Sequence, residues 1–249
     1  MQKYYKYHDL TMSQFYTQGG IGNIYISKYG KYIYKLTYSA SAFINNILTF
    51  NKLVNKIPCS NLLDYFIIEN DNKLLYNFKD SLKSLSIKHL NEFNMDNIYV
   101  LKYSLYDYNT FGYYSNILYK DLLQNLPYMI IWTYICIYSM NIQNIFHNDL
   151  KIDNILMKER VNDIIYINNI VIGNKTKYEY FLNDFDMTLN KNIFDDITTF
   201  RNSVYRMFSK RLKNNNDLLN NINNITDIYE RILLNPTNYT REIICINIL

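Results

Sequence analysis

The stretch His147-Asn148-Asp149-Leu150-Lys151-Ile152-Asp153-Asn154-Ile155-Leu156 constrains this chain more than any other. Within six residues it sets a carboxylate (Asp149), an ammonium (Lys151) and an amide (Asn154), and an apolar run follows at once. In an extended loop, residues two apart point to the same side, so Lys151 shares a side with Asp149. Taken singly, Asp149 and Asn154 could simply make turn hydrogen bonds. Their meaning depends on what surrounds them in the chain.

The residues before this loop favour strands. Asn23–Ser27 and Tyr32–Leu36 are β-branched and aromatic, and the Gly-containing Lys28–Lys31 segment predicts a turn between them. Ser41–Ile57 carries apolar residues at helical spacing and is closed by Pro58. Leu62–Ile68, Leu74–Phe78 and Ile98–Tyr103 read as further strands. The second half changes character. Helices are predicted over Ser115–Leu126 and Tyr128–Asn141, then strands at Asn154–Met157 and Tyr178–Leu182, with a hairpin insertion over Asp163–Ile172. From Asp195 onward the pattern is helical, broken by polar turns at Asn214–Asp217 and Asn235–Thr237. A strand-rich part followed by a helix-rich part is an α+β arrangement, with the boundary expected near Tyr103–Asn109.

Composition excludes several classes. With 49% hydrophobic and 19% charged residues the 249-residue chain is globular in composition, and long enough for a substantial core. The 27 Tyr, 13 Phe and many Asn, Ile and Lys fit an AT-rich coding sequence, and the tyrosines are expected as core residues with one wet edge. A net charge of +4 says little about partners, and the concentrated basic face of a nucleic-acid binder is lacking, so nucleic acid is not expected; Arg201, Arg206, Lys210, Arg211 and Lys213 read as a solvated helix surface, with a phosphate or acidic-substrate patch as the alternative. Cys59, Cys136 and Cys245 are far apart and lack metal-ligand spacing, which suggests reduced thiols and a cytoplasmic setting. The longest apolar run, Leu126–Met140, falls short of the ~18–20 residues of a membrane span, so no span is expected. The polar N-terminus does not read as a secretory signal.

Asp149, Lys151 and Asn154 resemble the catalytic loop H-R-D-L-x-x-x-N of eukaryotic-type serine/threonine protein kinases, with Asn148 for the usual Arg. Asn183-Asp184-Phe185-Asp186 follows a strand 30 residues beyond Asn154 and resembles the D-F-G element, with Asp186 for Gly. Thr17–Tyr25 is similar to the phosphate-covering glycine loop, Thr17 standing for its first Gly, and Lys35 occupies the place of the V-A-I-K lysine. A simple hairpin would also want those glycines. The resemblance covers roughly residues 15–210. It implies a two-lobed protein-kinase-like fold filling residues 1–249, with an N-lobe of about 1–105 and a C-lobe of about 106–249. It implies ATP- and Mg2+-dependent phosphoryl transfer to Ser or Thr hydroxyls of a protein substrate. Asp149 would accept the hydroxyl proton and Lys151 would stabilise the migrating phosphoryl group. Asn154 and Asp184 would hold Mg2+, and Gly19, Gly20, Gly22, Ile24 and Lys35 would place the nucleotide.

Departures from the pattern qualify this. The helix after Lys35 holds no Asp or Glu, so the expected partner of that lysine must be Glu69, Asp64 or another acid, or one of Asn45, Asn46 and Asn51, or be missing. The activation segment is shortened, since Asp195-Asp196 already begins the next helix. There Asp196 is assigned to tie down the catalytic-loop backbone, and Asp195 reads equally well as a plain helix-start acid. Compact size, Asn148, Asp186 and the short segment are similar to kinases of large cytoplasmic DNA viruses, poxvirus type included. Two other readings stay open: a small-molecule kinase of the choline or aminoglycoside type, opposed by Lys151 and the glycine loop, and a catalytically weak scaffold.

Overall fold

The computed structural model describes residues 10, 13–18, 22–37, 39–69, 97–161, 164–167, 170–173, 176–193, 195–212 and 216–234. The fold is mixed α+β, and its contacts divide the chain into two units: Met1–Asn51 with Ser60–Leu105, and Lys52–Cys59 with Tyr106–Leu249.

Among its described residues the first unit holds a five-stranded antiparallel sheet and a helix packed on it. Its strands are β1 (Gln14–Gln18), β2 (Gly22–Ile26), β3 (Tyr32–Thr37), β4 (Leu62–Glu69) and β5 (Asn97–Ser104), in the order β1-β2-β3-β5-β4. The β2–β3 turn closes on Ser27, whose hydroxyl accepts from the backbone of Lys31 and Tyr32, and Gly30 takes the left-handed φ of 63° that the turn needs. Period-2 alternation gives the sheet two faces. Tyr25, Tyr34, Leu36, Ile68, Ile98 and Val100 cluster on one. On the other, Leu62, Leu101 and Tyr103 pack with Phe43, Ile47 and Phe50 of helix α1 (Ala40–Leu53). The helix stops four residues short of the Ile57 expected from its apolar spacing; Lys56 and Ile57 instead turn back onto the Leu53 carbonyl. Strand β1 was not expected; its last residues, Thr17 and Gln18, read in the sequence as the start of the Thr17–Tyr25 glycine loop. The strand expected at Leu74–Phe78 lies outside the described residues.

The second unit begins with β6 (Tyr108–Asn109), α2 (Thr110–Asn116) and α3 (Tyr119–Asn141). The sequence predicted helices over Ser115–Leu126 and Tyr128–Asn141, but α3 runs unbroken through Pro127. Leu126 through Ile137 are all buried, and apolar burial on every side outweighs the one helical hydrogen bond that proline removes. Among the described residues no helix is long and apolar enough to cross a membrane. Strands β7 (Ile155–Glu159) and β10 (Tyr178–Leu182) pair antiparallel with β6 at the edge, and β8 (Ile164–Ile167) and β9 (Ile170–Gly173) form the expected hairpin. Helices α4 (Asp196–Leu212) and α5 (Asn216–Leu234) pack on each other and on α3. Tyrosine serves this core, but without the wet edge expected of it at three positions: Tyr114, Tyr134 and Tyr180 are fully buried and meet Phe208, Phe200 and Trp132 ring to ring. Cys59 and Cys136 are buried free thiols, and burial pushes the Cys59 thiol up to about 12.

Candidate active site

The β7–β10 ladder brings two distant stretches of sequence side by side. Leu182 registers with Ile155, and one step on, the Asn183 N–H donates to the Asn154 carbonyl at 2.9 Å. Asp184 therefore follows directly on a residue bonded to Asn154. A 3-10 turn, Ile152–Asn154, leads from the loop into β7, and the Ile152 N–H donates to the Ser203 hydroxyl of α4 at 3.0 Å.

Asp149 and Asn154 are joined across this turn. The Asn154 amide nitrogen donates to the Asp149 carbonyl at 2.9 Å and lies 3.4 Å from its Oδ2. Lys151 Nζ holds the same Oδ2 at 2.7 Å, with both side chains a little over one-third exposed. Both contacts fall on Oδ2, which leaves Oδ1 as the carboxylate's outward acceptor. An amide whose nitrogen is committed presents its oxygen on the other side, so Asn154 Oδ1 is suited to a cation. Asp184 sits in the left-handed region at φ 64°, ψ 66°, and a 3-10 turn, Phe185–Met187, follows. Asp186 is buried in that turn, and its φ is not positive. The conformational demand falls on Asp184, so position 186 does not require glycine.

The loop is held from behind by groups the motif does not name. Asp196, 3% exposed at the start of α4, accepts the backbone N–H groups of His147 and Asn148, each at 2.8 Å. Burial pushes its carboxyl up, while His147 and these two bonds pull it back. Asp195 plays the other part, capping α4 by accepting from Thr198. The sequence assigned the tie to Asp196 and read Asp195 as a helix-start acid, and the hydrogen bonds fall that way. His147 is fully buried; its Nε2 donates to the Asn183 carbonyl at 2.9 Å and its ring lies 5.3 Å from that of Phe185. The His147–Asn154 loop and the Asp184–Asp186 segment are thus tied through both backbone and side chain.

Asn148 marks what sequence reasoning missed. It stood out only as a departure from Arg, yet it has a φ of 62°, where Asn is among the few residues tolerated. Its amide nitrogen faces the carbonyls of Phe146, Met187 and Lys191 at 3.1–3.2 Å, and its oxygen accepts from Ile193 N at 2.8 Å. A mutual pair of backbone bonds between Phe146 and Leu189 completes the clamp. One short side chain fastens the whole connection from Met187 to Ile193.

In the first unit, Lys35 is 8% exposed on β3, paired across the strands with Ile24 and with Leu101. Ile24 and Lys35 therefore share a sheet face, the one covered by α1. Asp64, one of the acids considered for Lys35, registers with Lys102, next to Leu101 in β5, and so belongs to the opposite face. Asn46 is buried and uses its amide on the Ala42 carbonyl and the Tyr103 hydroxyl. Gly22 opens β2, where a Cβ would stand 2.2 Å from the Leu36 carbonyl oxygen. Its missing side chain makes room for the neighbouring strand. Gly19 and Gly20 lie outside the described residues.

Among the described residues no group of three or more His, Cys, Asp and Glu is placed to hold a metal ion. A magnesium ion does not demand such a cage, since it keeps several waters and takes one or two carboxylates with substrate phosphates. Asp184 and the Asn154 oxygen fit that donor set. No protein-family model matches the chain, and no curated protein matches it.

Proposed function

We propose that this chain is a two-lobed, protein-kinase-like enzyme that transfers the γ-phosphoryl group of ATP, with Mg2+, to Ser or Thr hydroxyls of a protein. The reading is supported above all by one observation: the N–H of Asn183 bonds the carbonyl of Asn154, whose side chain bonds Asp149. Asn183 is thereby joined, across a long stretch of sequence, to the neighbouring Asn154 and Asp149 at one end of the β7–β10 ladder. Phosphoryl transfer works by positioning and charge compensation, and this set supplies both.

Each residue then has a task. Lys151 and Asn154 orient the Asp149 carboxylate through Oδ2, and its Oδ1 receives the acceptor hydroxyl's hydrogen bond and then its proton. Lys151 lies at the same place to offset charge on the group in flight. Asp184 and Asn154 Oδ1 would hold magnesium, which supplies charge neutralisation on the phosphates. The nucleotide-placing roles of Gly19, Gly20, Gly22, Ile24 and Lys35 rest on the sequence resemblance alone.

The test is transfer of label from ATP with Mg2+ to generic protein substrates, beside Asp149→Asn. Loss of the proton acceptor should lower transfer about 10²- to 10⁴-fold with the melting temperature little changed. Label appearing only on small alcohols would replace the reading with a small-molecule kinase. Nucleotide-induced stabilisation with no turnover would make the chain a scaffold.

A further inference from the structure

Beside the catalytic loop lies a pocket of about 760 Å3 whose floor and walls come from the loop, from α4 and from Phe111 of α2. Its volume is in the range of pockets that hold small ligands or a few side chains. Lys151 and Asp153 enter from the loop, and Asn202, Arg206 and Met207 from α4. Lys151 is shared with the Asp149 pair, so an occupant of the pocket lies next to the group that receives the acceptor's proton.

We infer that this pocket binds an anionic side chain, carboxylate or phosphate, of the protein substrate, close in sequence to the hydroxyl that is phosphorylated. The inference rests on the kinase reading above. Charge bookkeeping supports it. Of the α4 residues that line the pocket, Arg206 is the charged one, and none is a carboxylate. The loop contributes one acid to the lining, Asp153, set against Lys151 and Arg206. Asp149 is already committed to Lys151 at 2.7 Å. A guanidinium offers a planar fork matched to carboxylate and phosphate oxygens, and the Asn202 amide adds a neutral donor on the same wall. Phe111 and Met207 give the stem of the incoming residue an apolar wall. A lysine or arginine in the same place would meet Arg206 with like charge.

The experiment uses the full chain and peptides with one Ser acceptor and Glu, phosphoserine, Ala or Lys placed at successive positions on either side. Two readings are taken: kcat/KM for phosphorylation, and peptide affinity by fluorescence anisotropy without nucleotide. Glu or phosphoserine at one position should beat Lys by about tenfold or more, the size expected of one charge-assisted contact. Which of the two anions is favoured tells a carboxylate site from a phosphate site. Arg206→Glu should invert the order, and Arg206→Ala should flatten it. An unaltered charge preference in Arg206→Glu overturns the inference, as does an equal loss for every peptide. If no peptide is phosphorylated, anisotropy still decides. Tighter binding of the acidic peptide, lost in Arg206→Glu, keeps the pocket and removes the kinase reading; equal binding of all peptides overturns the pocket.

Discussion

Asp196 concentrates the loop's dependence on single side chains. It is one carboxylate, buried, on which two consecutive backbone N–H groups converge. Replacing it with Ala leaves both donors unmatched away from water, at a cost of about 1–3 kcal/mol each. Asp196→Ala should therefore lower stability by several kcal/mol in urea melts and abolish whatever activity the Asp149 geometry supports. The pH dependence has a definite sign. Burial raises the folded carboxyl above its ordinary 3.8, so the native state holds that proton more tightly than the unfolded chain. The stability Asp196 contributes is greatest below pH 3.8 and declines as pH rises through the raised value. The gap between wild type and Asp196→Ala should accordingly narrow from acid towards neutral pH; a gap that widens would contradict the cause assigned here. Asn148 illustrates the same economy, since a left-handed backbone and a two-headed amide let it hold the chain from Met187 to Ile193.

Among the elements, β2 shows a glycine that strand packing itself requires. A Cβ at position 22 would stand 2.2 Å from a backbone oxygen of β3, and backbone cannot swing aside as a side-chain tip can. Gly22→Ala should cost about 1–3 kcal/mol, the usual range for overpacking, read as a lower urea midpoint. If glycine were needed there only for a phosphate to approach, the substitution would raise the KM for ATP and leave the midpoint unmoved. Helix α3 makes the complementary point. Proline broke the expected pattern into two helices, and the buried surface on both sides of Pro127 kept them as one.

For the whole molecule, the decisive measurement is linkage to ligand. A nucleotide that binds only the folded chain stabilises it by about 2.7 kcal/mol at one hundred times its Kd. ATP with Mg2+ should raise the melting temperature accordingly, and chelating the magnesium should remove most of the rise. Unchanged melting with ATP and Mg2+ present would count against any nucleotide function, catalytic or not.

Local information was enough for the mixed α+β class and for most strands and late helices, and it singled out Asp149, Asn154 and Asp184 as candidates, because spacing and hydrophobic period are properties of neighbours along the chain. The same local pattern even separated Asp196 from Asp195 as a candidate anchor. It could not show that Asn183 bonds Asn154, that Asn148 clamps a segment some forty residues away, or that Asp64 and Lys35 occupy opposite faces of one sheet. Those facts depend on strand register and on which carbonyls happen to converge. Long-range pairing decides both, and no window of sequence contains it.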